Sequence, residues 1–160
     1  MKNKLLLGLM ALGATALTVG FLAGYPAQAD DDKVVDGKAG GTAAGILETS
    51  AGRYEFTPAT CAIYKDGDSH DIEIGGQGVA PDGEDFYFEF SSTANAITIG
   101  LGVDGPFASS DRVLRAGRSA SQEFEVVVAG EKITVPALVL VDENFDVIDG
   151  TASLSIDCEG

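Results

Sequence analysis

Residues 100–105 read Gly-Leu-Gly-Val-Asp-Gly, the G-x-G-x-x-G spacing that holds a dinucleotide pyrophosphate. That chemistry needs the third glycine to open a helix whose first N–H groups face the phosphates. Here Gly105 runs into Pro106-Phe107, and no βαβ unit can be drawn around it. The downstream carboxylate, Glu123, falls in an alternating, strand-like run. The expectation is a glycine-bearing strand that ends in an Asp104-Gly105 turn, with no nucleotide bound.

Two acidic stretches have the oxygen-rich look of calcium loops: DGDSHD (Asp66 to Asp71) and DENFD (Asp142 to Asp146). An EF-hand loop needs Gly at its sixth position and Glu at its twelfth. Counting from Asp66 gives Asp71 and Gln77, and counting from Asp142 gives Val147 and Ser153. Both fail that test. Asp66, Asp68, Asp71, Asp142 and Asp146 stay candidates only for a looser divalent-cation site at hairpin tips, beside the plainer reading of solvated turns. His70 is the single histidine, too little for a zinc site when both cysteines are expected to be oxidised. No serine lies in a nucleophile-elbow pattern, so His70 reads as a turn residue at a strand start and the chain as a non-enzyme without a cofactor.

Arg112, Arg115 and Arg118 stand at i, i+3 and i+6 in SSDRVLRAGRS. On a helix begun by Ser110 or Asp111 and stopped by Gly117 they would line one side and could grip an anion through guanidinium forks. The competing and favoured reading is local neutralisation by Asp111, Glu123 or Glu125.

Those residues are carried by runs that alternate every second position. Phe86, Phe88 and Phe90 alternate with Tyr87 and Glu89, and Ile97, Ile99, Leu101 and Val103 with their neighbours. Ile72 and Ile74, then Phe124, Val126 and Val128, then Ala152, Leu154, Ile156 and Cys158 follow the same rule. Gly/Asp turns separate these runs: KDGDS, APDGED, VDGPF, VAGEK and VIDG. The pattern predicts an all-β domain of about eight mostly antiparallel strands, a β-sandwich or a small barrel, over residues 52–160. Cys61 shares the inward parity of Ile63, and Cys158 that of Ile156. The absence of Trp argues against an immunoglobulin domain proper.

Upstream, residues 1–29 have a basic start (Lys2, Lys4), an apolar run and Ala27-Gln28-Ala29, the parts of a secretory signal peptide cut after Ala29. Residues 30–51 are rich in Gly, Ala and Asp and read as a flexible tether, with KVV and ILE as short edge strands. In the exported product Cys61 and Cys158 are expected to form one disulfide, because the compartment is oxidising. Loss of both early lysines leaves eight basic against 25 acidic residues, a net charge of −17 with His70 neutral. Such acidity disfavours nucleic acid and anionic membranes.

Several motifs together resemble the LpqH family of mycobacterial surface lipoprotein antigens. They are Cys61, IEIGGQG (Ile72 to Gly78), ITIGLGVDG (Ile97 to Gly105), GEKIT (Gly130 to Thr134), SLSIDC closing at Cys158, and KVVDGK (Lys33 to Lys38). The resemblance implies a surface-exposed or shed antigen with a disulfide-stapled β domain and no catalysis. The family's lipidated cysteine has no counterpart, because Tyr25 follows Leu22-Ala23-Gly24. The expectation is a secreted or surface-associated protein with a structural or interaction role, a monomer facing an unidentified protein or envelope ligand, with no membrane insertion after cleavage. The alternative is a soluble binding module for an anion at the arginines or a divalent cation at the acidic tips.

Overall fold

The alternation seen in the sequence becomes strands that close on themselves. The computed structural model describes residues 35–37, 43–67, 69–106 and 108–159, with only the backbone of 35–37 and Asp66. The signal peptide, its cleavage site and most of the segment before Ala43 lie outside the described residues. Ten strands form: β1 (Val35–Gly37), β2 (Ala44–Thr49), β3 (Gly52–Asp66), β4 (Ser69–Val79), β5 (Asp85–Ser91), β6 (Ala96–Leu101), β7 (Val113–Gly117), β8 (Val127–Ala129), β9 (Lys132–Val141) and β10 (Val147–Asp157). Eight of them make a closed antiparallel barrel in the order β3-β2-β10-β9-β7-β6-β5-β4, with β4 returning to β3. β1 adds to the distal half of β3, and β8 to the first residues of β9. Closure selects the barrel from the two architectures expected, and it leaves the main sheet no open edge.

An eight-stranded barrel is just wide enough for side chains to fill its interior. Phe86, Phe88, Leu47, Ile97, Ile99 and Ile133 are fully buried there. The Phe56 ring stacks on Phe88 at 4.1 Å between centroids and meets Phe86 edge-on at 6.3 Å. Two glycines make room for that cluster. A Cβ on Gly45 would run into the Phe56 ring, and one on Gly78 would sit 2.5 Å from Phe86 Cζ and 2.7 Å from Phe56 Cβ. Large rings thus lie over the empty glycine positions paired with them on the neighbouring strands. Both prolines inside strands avoid the ladder's needs. Pro58 precedes a register shift in β3, and Pro136 falls in the gap where β10 pairs with Val135 and then Leu138.

Three expectations are corrected. Residues 44–49, placed within the tether with ILE as a short edge strand, form the barrel strand β2, which is no edge: it is hydrogen-bonded to both β10 and β3, with Leu47 fully buried. Its other inward position, Gly45, is small because the Phe56 ring occupies the space a Cβ would need. The stretch SSDRVLRAG is no helix: Val113–Gly117 is strand β7, paired with β6 and β9, with Leu114 and Ala116 turned inward. The β-branched Val113 and the period-two burial outweigh the helical spacing of the arginines. In the run from Glu123 to Val128 only Val127–Ala129 pairs as strand, although Phe124, Val126 and Val128 still pack against the core. Among the described residues the only helical turn is the 3-10 segment Arg118–Ala120, and no helix is long and apolar enough to cross a membrane.

Candidate functional site

Antiparallel connectivity sorts the loops into two ends. One end gathers the β2–β3 turn, the β4–β5 loop, the β6–β7 loop and the β9–β10 tip. GLGVDG belongs to this end. Gly100 and Leu101 close β6, and Gly102 turns out of it at φ +74°, donating its N–H to the Asp85 carbonyl at 2.8 Å. That left-handed turn is what glycine supplies here.

The strand geometry of β7 pulls the arginines apart. Six residues span about 20 Å when extended but about 9 Å in a helix, so Arg112 and Arg118 sit at opposite ends of β7 and do not share one anion. Each has its own carboxylate. Arg112 meets Glu84 across the β4–β5 loop, and Arg118 Nε lies 2.9 Å from Glu123 Oε1. Arg115 stands half-buried midway, opposite Val141 of β9.

The acidic stretches are likewise engaged locally. Asp71 accepts the Thr93 hydroxyl, and His70 is the second residue of β4, its carbonyl accepting the Ser92 hydroxyl at 3.2 Å. Asp68 and the side chain of Asp66 lie outside what the structure describes. Asp142 Oδ1 accepts the N–H groups of Asn144 and Asp146, each at 2.9 Å, which folds the β9–β10 tip. Among the described residues no three His, Cys, Asp or Glu side chains converge as a metal would require.

Cys61 and Cys158 are bonded, with Cα atoms 5.9 Å apart. β2 pairs with β3 only as far as Phe56 and with β10 as far as Asp157. The bridge therefore ties β3 to the end of β10 just beyond the point where β2 begins.

Two features escaped sequence reasoning. The first is Asp149, the one buried charged residue among those described, whose carboxyl sits at about pKa 2. Hydrogen bonds cause the depression: from the Ser50 N–H first, then from the Ser50 side chain, then from the Thr151 N–H at 2.7 Å, with the Thr151 hydroxyl at 3.1 Å. The second is a groove of about 530 Å³ on the outer wall, lined by Glu73, Tyr87, Glu89 and Thr98 among others. Its floor is Gly75, where a Cβ would come 2.8 Å from the Tyr87 hydroxyl. Partial burial, and secondarily Glu89, push the Tyr87 phenol above its usual pKa. Cross-strand register could have located the groove, because Gly75 pairs with Glu89 and Glu89 with Thr98.

Compared with protein-family models, with curated proteins and with solved structures, the chain matches none.

Proposed function

We propose that this chain is a secreted or cell-surface-associated, non-enzymatic β domain of LpqH type that acts through contacts on its outer surface. The observation that carries this reading is the Cys61–Cys158 disulfide between β3 and the end of β10. Such a staple belongs to an oxidising, extracytoplasmic compartment. The filled barrel adds a second support. Phe56, Phe86 and Phe88 occupy the interior, so partners are left the outer wall and the loop ends. A net charge far below zero turns those surfaces away from polyanions and towards proteins or envelope components of opposite or neutral character.

The test is fractionation of the source cells followed by mass analysis without reduction. The expected result is an extracytoplasmic product beginning at Asp30, with both cysteines oxidised. Cytoplasmic retention with two free thiols would overturn the proposal.

A further inference from the structure

The three most exposed large apolar side chains of the described residues fall within four consecutive positions at the β9–β10 tip. Phe145 is 62 % exposed, Val147 63 % and Ile148 51 %. Scattered exposed hydrophobics need no explanation, whereas three of them within four positions of one tip do. This tip is also built rather than loose. Asp142 Oδ1 holds the N–H groups of Asn144 and Asp146, the Asp142 N–H donates to the Asp146 carbonyl at 3.0 Å, and the Phe145 N–H donates to the Asp142 carbonyl at 3.1 Å. Just behind it, Asp149 ties the base of β10 to Ser50.

Inside that clasp Phe145 takes φ +67°, the left-handed region that a Cβ disfavours. Glycine would fit the turn better, yet an aromatic ring stands there, facing solvent. The fold thus accepts backbone strain and exposed apolar surface at one residue, a combination that marks contact sites.

The surrounding charge limits what can cover the tip. Asp142, Glu143 and Asp146 flank Phe145, and none of them has an ion-pair partner among the described residues. An anionic bilayer would repel the carboxylates, and insertion into any bilayer would drag them out of water. A second copy would bring the same acids against its own. We infer that the β9–β10 tip is a protein-docking loop, with Phe145, Val147 and Ile148 entering an apolar pocket rimmed by basic side chains on the partner. The inference rests on the interaction role proposed above and names the surface and the chemistry of its partner.

The experiment uses the full exported chain with a benzophenone amino acid at position 145, and as a control at the groove residue Thr98, irradiated on intact source cells. The expected result is one discrete protein adduct from position 145. The captured protein, once purified, then binds the unmodified chain about fivefold more weakly when salt rises from 0.05 to 0.5 M, as an ionic rim requires. Phe145→Gly should weaken that binding at least about tenfold while leaving the melting temperature equal or higher, because it relieves the left-handed strain. A Phe145→Gly chain that binds unchanged overturns the inference, as do adducts only with lipid or with a second copy. An adduct from Thr98 with none from position 145 overturns the docking loop and leaves the interaction role standing. No adduct from either position counts against both.

Discussion

The Asp149 carboxylate accepts the backbone N–H of Ser50, a residue 99 positions earlier in the chain, and so joins the β2–β3 turn to the start of β10. Ser50 and Thr151 both supply hydrogen bonds to this one carboxylate, and the residue is only 5 % exposed. The barrel is locked at this point by charge and not by apolar packing.

Asp149→Ala strands the N–H groups of Ser50 and Thr151. A hydrogen bond to a charged group is worth roughly 1.5–3 kcal/mol, so a loss of about 2–3 kcal/mol in urea unfolding is expected, with Asn recovering part of it. The pH dependence has a definite sign. The folded carboxyl is held at about 2, below the usual aspartate value of about 3.9. Its contribution is therefore complete above the unfolded value and vanishes as pH falls through the folded one. Between about pH 4 and pH 2 the native chain should lose on the order of 1–2 kcal/mol relative to Asp149→Asn. Parallel acid-unfolding curves for the two chains would disprove this account.

Gly117 closes β7 at φ +83°, and a Cβ there would collide with the Asn95 carbonyl and come 2.7 Å from the Phe124 ring. That crowding is part of a three-way junction, since Asn95 Nδ2 donates to the Phe124 carbonyl at 3.0 Å and the Arg118 N–H to the Asn95 carbonyl at 2.8 Å. Gly117→Ala combines a left-handed backbone with a backbone clash and should cost more than about 3 kcal/mol. Gly130→Ala is the control: it shares the positive φ, but nothing lies within 4 Å of its added Cβ. A loss of about 1 kcal/mol is expected there. Equal melting temperatures for the two variants would show that the junction does not matter.

What could be read from the sequence depended on the size of the inward residues. β5 and β6 were legible because Phe86, Phe88, Phe90, Ile97 and Ile99 announce a buried face without interruption. β2 was legible only as the short edge strand ILE, because its inward Gly45 carries no side chain and the volume missing there is filled by Phe56 from the next strand. Hydrophobic periodicity registers side chains in one segment and cannot see a ring borrowed from another. β7 misled for a related reason, since only Leu114 and Ala116 mark its inward face while three arginines mimic a helical stripe. Asp149 sits in a stretch that reads as a turn, and its main partner is a backbone N–H that no residue type reveals. Barrel closure also depends on β3 meeting β2 along Gly52–Phe56 and β4 along Glu55–Asp66, a long-range choice that alternation alone leaves open.

Charge repulsion makes a prediction of its own. None of the five ion pairs among the described residues is buried, and such surface pairs contribute about 0–1 kcal/mol each. Against them stand 25 acidic residues and ten basic ones. Self-repulsion should win, so raising sodium chloride from about 10 mM to 0.5 M should increase the melting temperature by several degrees, screening the repulsion more than it weakens the pairs. A fall in melting temperature over that range would mean that the ion pairs dominate.

The largest single effect is expected from the disulfide. Cys61 and Cys158 are 97 residues apart in sequence. Cross-linking a loop of about 100 residues restrains the unfolded chain by up to about 4.7 kcal/mol at 25 °C. The folded barrel needs little from the bond itself, since β10 already pairs with both β2 and β9 and β3 with both β2 and β4. The bond should therefore act mainly on the unfolded state. Cys61→Ser with Cys158→Ser should keep the far-ultraviolet β spectrum while losing about 3–5 kcal/mol in urea, and the slope of the unfolding transition should steepen because the freed chain exposes more surface. A single Cys61→Ser should lose about as much as the pair. A double variant with an unchanged urea midpoint would refute the entropic account, and a disordered spectrum would place the bond's contribution in the native fold instead.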